Sequence, residues 1–109
     1  MAETHNLVKE GQALLELARN EGSGRSSVSL GHADKQRAVL MALTAGNGLS
    51  EHDSPPSATL QCISGNVRLY VAGGGEEWLL QDGDLVPIPQ ARHGVDAISD
   101  SIILLTVSL

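Results

Sequence analysis

The part of the chain after Gly24 is built from short runs of strand-favouring residues that alternate with turns rich in glycine, asparagine and aspartate. We expect eight strands, at residues 26–30, 37–43, 59–63, 67–71, 77–80, 84–88, 95–98 and 101–107. No helical pattern separates these runs, which excludes a parallel α/β sheet. Eight closely spaced strands indicate a jelly roll or a barrel.

The first 24 residues follow a different period. Apolar and small side chains recur at helical spacing, at Leu7, Gly11, Leu14, Leu15 and Ala18. Thr4 and Asn6 are the candidate N-caps, and glycines at positions 22 and 24 end the helix. We expect this helix to pack against the outside of the β-structure or against a partner subunit. The predicted organisation is a helix and linker at residues 1–24 and a β-barrel domain at residues 25–109.

Composition excludes two classes of partner. The chain of 109 residues has a net charge of −6, and its seven Lys and Arg residues are scattered, so no basic face for nucleic acid is predicted. No apolar run approaches the roughly 20 residues that cross a bilayer, so no membrane partner is expected.

Cysteine and aromatic content give two further expectations. Cys62 is the single cysteine and forms no internal disulfide, and the N-terminus lacks the layout of a secretory signal, so we expect a cytoplasmic location. Tyr70 and Trp78 are the only aromatic residues, which limits the area that a small domain buries. We therefore expect a homodimer.

Two stretches of the β-rich part combine glycines and a histidine at fixed spacings. The first contains Gly46, His52, Ser54, Ala58 and Gly65, and the second contains Gly83, Pro89, Ala91, His93 and Ala97. Seventeen residues separate Gly65 from Gly83. These positions resemble the paired motifs of the cupin superfamily, G-x5-H-x-H-x3,4-E-x6-G and G-x5-P-x-G-x2-H-x3-N, with one residue fewer before the second histidine. The resemblance spans residues 39–109. It implies an all-β, cupin-type double-stranded β-helix (jelly-roll barrel), here preceded by an N-terminal α-helix.

In cupins, three histidines and one glutamate of these motifs hold a divalent metal ion. The resemblance assigns His52 to the first histidine and His93 to the last, whereas Ser54 replaces the second histidine and Ala58 replaces the glutamate. Transition-metal sites usually need at least three protein donors. The set is therefore incomplete, and His52 and His93 alone predict at most weak binding of Zn, Fe, Ni or Mn. Cys62 is interpreted as a core residue and not as a replacement donor.

Several functions remain open from the sequence, and with them the question of whether the protein is an enzyme. The first is a site for an unknown small molecule, with these lining residues: His52, Leu60, Gln61, Leu69, Val71, Ile88 and His93. The second is a metal-dependent dioxygenase, isomerase or decarboxylase that uses both histidines and an unidentified third donor. In the third, His93 acts as an acid or base without metal. In the fourth, side chains fill the barrel and no site exists.

Overall fold

The computed structural model describes residues 3–109. Within them lie α1 (Leu7–Asn20), β1 (Arg25–His32), β2 (Gln36–Leu43), β3 (Gly48–His52), β4 (Ala58–Ser64), β5 (Asn66–Val71), β6 (Glu77–Gln81), β7 (Leu85–Pro87), β8 (His93–Ala97) and β9 (Ser101–Ser108). Eight of these strands overlap the eight predicted runs. No helix among the described residues is long and apolar enough to cross a membrane.

The strands form two antiparallel sheets. The five-stranded sheet has the order β1-β2-β9-β4-β7, and the four-stranded sheet has the order β3-β8-β5-β6. Most neighbours within a sheet are distant in the sequence, so the chain crosses repeatedly from one sheet to the other. The prediction of an all-β fold with one N-terminal helix is confirmed.

The main hydrophobic core lies between the two sheets. It contains Leu43, Leu60 and Ile103 from the five-stranded sheet and Leu69 and Val95 from the four-stranded sheet. The side of each sheet that supplies these residues is called its inner face below. Because strand side chains alternate, every second residue of these strands belongs to the inner face.

Helix α1 covers the opposite side of the five-stranded sheet. It buries Gly11, Leu14, Leu15 and Ala18, four of the five residues predicted to form its apolar stripe. A Cβ added at Gly11 would lie 2.5 Å from a methyl carbon of Ile102, so only glycine allows this close approach. The Asn6 side chain caps the helix by accepting a hydrogen bond from Lys9 N at 2.9 Å. The residues packed between α1 and the sheet therefore form a second hydrophobic core, which lies outside the space between the two sheets.

Strand β3 is not among the eight strands predicted from the sequence. Its residues are short of apolar side chains, and only Gly48 and Leu49 are half-buried. The strand exists because it pairs with β8, more than forty residues away in the chain. A local pattern carries no signal of such a long-range pairing.

One motif glycine has a strict steric role. Gly65 has a φ of +106°, a conformation that L side chains rarely adopt. A Cβ at this position would lie 2.3 Å from Ser101 Oγ and 2.6 Å from the carbonyl oxygen of Asp100. The tight turn between β4 and β5 therefore requires glycine, as the sequence spacing indicated.

Candidate functional site

A β-bulge brings the two motif histidines together. In the β3–β8 ladder, Leu49 lies opposite Val95 and His52 lies opposite His93, so β3 contains one residue more than β8 between these pairs. In a regular strand, residues 49 and 52 would point to opposite sides. The bulge places His52 on the inner face beside His93.

The carbonyl groups of the bulge have partners within the protein. His52 Nδ1 lies 2.8 Å from Ser50 O, and Arg92 Nη2 donates to Glu51 O at 3.1 Å. Arg92 also forms an exposed ion pair with Asp53, with 3.6 Å between nitrogen and oxygen. These contacts tie β3 to the segment before β8 and fix the position of His52. Arg92 therefore has a structural role in this segment.

The two imidazoles pack edge to face. Their ring centroids are 4.5 Å apart, and their planes are inclined at 61°. His93 is only 1% exposed, whereas His52 is exposed to solvent. The pair therefore lies at the boundary between the inter-sheet core and the solvent.

Backbone hydrogen bonds set the tautomer of both rings. His93 Nδ1 lies 2.9 Å from Ala91 O, in the same arrangement as His52 Nδ1 with Ser50 O. A carbonyl oxygen only accepts hydrogen bonds, so each Nδ1 carries the proton. In the neutral rings Nε2 is then an acceptor. The site thus contains two neighbouring imidazoles that each offer an Nε2 lone pair.

Of the other lining residues proposed from the sequence, Val71 lies opposite His93 in the β5–β8 ladder and so belongs beside the pair, whereas the rest lie elsewhere. Leu60 and Leu69 are completely buried in the main core, and Ile88 is 7% exposed, so these side chains form packing and not an open wall. Gln61 follows Leu60 on β4 and therefore points to the opposite side, towards the helix. The interpretation that Gln61 and Leu60 line one pocket is corrected by this alternation.

The remaining motif positions do not complete a metal site. Ser54 Oγ donates to Pro55 O at 2.9 Å, and Ala58 has no donor atom. Burial, together with the charges of Asp82 and Asp84, raises the pKa of the Cys62 thiol to about 11, so it remains protonated at neutral pH. Within residues 3–109, no group of three or more His, Cys, Asp or Glu side chains could hold a metal ion. These residues do not fit a tight transition-metal site.

The short connections between the sheets define two ends of the interior. Residues 44–47 join β2 to β3, and residues 98–100 join β8 to β9. The interior at these connections is called the closed end. The opposite ends of the same strands carry Arg37, His52 and His93, and this region is called the open end.

A cleft that the sequence interpretation missed lies on the inner face of the five-stranded sheet. Its volume is about 410 Å³, and its lining residues are Ser27, Val28, Ser29, His32, Arg37, Val39, Met41 and Leu105. A second cleft of about 420 Å³ shares Ser27 and Met41 with it and reaches Leu49 of the four-stranded sheet. The sequence leaves His32 open between the mouth of the barrel and an exposed turn, and the structure places it in this cleft. The serines gave no sequence signal because edge-strand β1 is mostly exposed, so its polar residues resemble an ordinary solvated strand.

Comparison with known proteins identifies the fold. No protein-family model matches the chain, and no curated protein matches it in sequence. An RmlC-like cupin from Desulfovibrio desulfuricans matches with a TM-score of 0.76 and 20% identity, covering 99% of this chain and 97% of that one. A conserved protein of unknown function from Streptococcus pyogenes matches with a TM-score of 0.77 and 20% identity, covering 99% and 88%.

Named cupins thus share the arrangement of helix and sheets described above, and this chain has the cupin fold. The predicted relationship to the cupin superfamily is confirmed at the level of the fold. One further neighbour is an enzyme: salicylate 1,2-dioxygenase from Pseudoaminobacter salicylatoxidans, solved as adducts with gentisate. It matches with a TM-score of 0.76 and 18% identity over 95% of this chain but only 32% of its own length.

Proposed function

We propose that this protein binds a small organic molecule at the open end, where His52 and His93 meet, and that its sheets close around this site as a jelly-roll barrel. The observation that carries the proposal is the pair of Nε2 acceptors, each oriented by a backbone hydrogen bond on Nδ1. A ligand that donates hydrogen bonds, such as a phenol, an alcohol or an amide, can satisfy both acceptors.

Binding without a tightly held metal is favoured by the chemistry of the donor set. The two histidines supply two nitrogen donors, and neither Ser54 nor Ala58 adds a third. The Cys62 thiol is buried and its raised pKa keeps it protonated. Two neutral donors fall short of the three that transition-metal sites usually use.

A metal-dependent enzyme is the second candidate, and one observation favours it. Histidines that ligate metals usually donate their other ring nitrogen to a carbonyl or carboxylate, and both His52 and His93 do so. The fold similarity to salicylate 1,2-dioxygenase is consistent with this class. The third donor that such an enzyme needs is not supplied by the described residues.

Elemental analysis separates the two candidates. Protein purified without chelator is expected to contain far less than one equivalent of Zn, Fe, Ni or Mn. Screening for thermal stabilisation by phenols, alcohols and amides should then identify ligands whose effect disappears in His52→Ala and His93→Ala. His5→Ala is the matched control, because His5 precedes the helix and contacts Glu10. Near-stoichiometric metal that both site variants lose, but His5→Ala retains, would replace this proposal with the metal-dependent enzyme.

We also expect the protein to form a homodimer. Among residues 3–109, no helix covers the four-stranded sheet, and Leu79 and Ile98 are 64% and 57% exposed. Burying such apolar side chains against a second copy is favourable. Light scattering should give the mass of a dimer at micromolar concentration, and a monomeric mass would contradict this expectation. The cytoplasmic location stays a prediction.

A further inference from the structure

Arg37 differs from the other arginines in the part of the chain that the structure describes. Arg19, Arg68 and Arg92 each form an ion pair with a carboxylate, and Arg25 donates to a backbone carbonyl. Among residues 3–109, the Arg37 side chain has no such partner. A guanidinium with five donors and no internal acceptor, positioned on the wall of a cleft, is suited to bind an anion.

A second β-bulge adds His32 to the same cleft. In the β1–β2 ladder, Ser29 lies opposite Val39 and His32 lies opposite Arg37, with a register shift between Ser29 and Gly31. In a regular strand, residues 29 and 32 would point to opposite sides. The bulge places the imidazole of His32 directly across from Arg37, on the inner face.

The rest of the cleft favours an anion that carries an apolar group. Val39, Met41 and Leu105 form an apolar floor, and Ser27 and Ser29 offer hydroxyl donors at its edge. The lining contains no acidic residue, although the chain as a whole has a net charge of −6. A volume of about 410 Å³ lies within the range of small-molecule sites, about 300–1,000 Å³.

We propose that this cleft binds a small carboxylic acid, with its carboxylate on Arg37 and His32 and its apolar body on Val39, Met41 and Leu105. The planar guanidinium matches a carboxylate with two parallel hydrogen bonds, which a neutral amide of the same shape cannot form. The inference goes beyond the proposed function, because the lining of this cleft includes neither His52 nor His93. It names the charge that the ligand of the cleft carries.

The test compares benzoate with benzamide, which has nearly the same shape but no charge. Isothermal titration or amide NMR shifts should show benzoate binding to the wild-type protein at least about tenfold more tightly than benzamide. Arg37→Gln should remove this preference, and His32→Gln should reduce it. Arg19→Gln, which removes the same charge from the outer surface, should retain it. Equal affinity of benzoate for wild type and Arg37→Gln would overturn the inference, as would a failure of benzoate to bind.

Two comparisons separate this inference from the proposed function. Benzoate binding that requires Arg37 but is unchanged in His52→Ala and His93→Ala supports a carboxylate site that is separate from the histidine site. Neutral ligands that require both histidines, with no advantage for carboxylates, support the histidine site and overturn the inference. Inorganic phosphate serves as the third probe, and tighter binding of phosphate than of benzoate would overturn the choice of a carboxylate.

Discussion

The two ends of the inter-sheet interior contrast sharply in packing and polarity. At the closed end, Leu43 and Val67 are fully buried and Ala97 is 2% exposed. The connections themselves are hydrogen-bonded there, since Gly46 N donates to Ala97 O at 2.9 Å. At the open end, the inner faces carry two histidines, and a cleft extends alongside β1 and β2.

This contrast explains how so short a chain combines stability with a site. A small domain needs most of its apolar side chains for the core, so it cannot use the whole interior as a cavity. The closed end and the core beneath α1 provide the packing. The open end, where bulges in β1 and β3 turn polar side chains inwards, is then free to contact a ligand.

The largest effect is expected from truncation at the closed end. Leu43→Ala should lower the free energy of unfolding by about 2–5 kcal/mol, because it leaves a cavity among fully buried neighbours. Chemical denaturation measures the change. The matched control is Leu17→Ala, since Leu17 is 55% exposed on the helix and its truncation should change the stability by less than about 0.5 kcal/mol. Equal losses in the two variants would show that the closed end is not tightly packed.

The second largest effect is on the pH dependence of stability, and it depends on whether water reaches the buried thiol of Cys62. Burial raises the pKa of this thiol from 9.0 to about 11. Between these pH values the folded protein keeps the thiol proton and the unfolded chain loses it, so stability should fall as the pH rises. The slope is expected to be about 1.4 kcal/mol per pH unit steeper in the wild type than in Cys62→Ala. Parallel stability curves over this range would mean that water reaches the thiol.

The sequence predicted those parts of the molecule that depend on local periodicity. The apolar stripe of α1 and the alternation along β5 follow from spacings of three to four and of two residues. The site was less predictable, because His52 and His32 reach the inner face through bulges that exist only in paired strands. A single extra residue reverses which side chains point inwards, and no local pattern marks where it occurs. Arg37 needs no bulge, because β2 pairs with β9 without a register shift, and it was left out because nothing in the sequence marks the start of β2 as part of a cleft.

The smallest effect on stability, and the clearest test of the boundary between the ends, concerns the histidine pair itself. His93 is 1% exposed and His52 is exposed, although they face each other across the β3–β8 ladder. His93→Ala should cost about 1–3 kcal/mol, because it removes a buried ring and leaves the carbonyl of Ala91 without its partner. His52→Ala should change stability by less than about 0.5 kcal/mol. Both substitutions should abolish ligand binding. If the two variants differ in stability but both fail to bind the ligand, the two rings belong to one site. If His52→Ala were the more damaging to stability, the bulge would be part of the packed core, and the open end would begin beyond it.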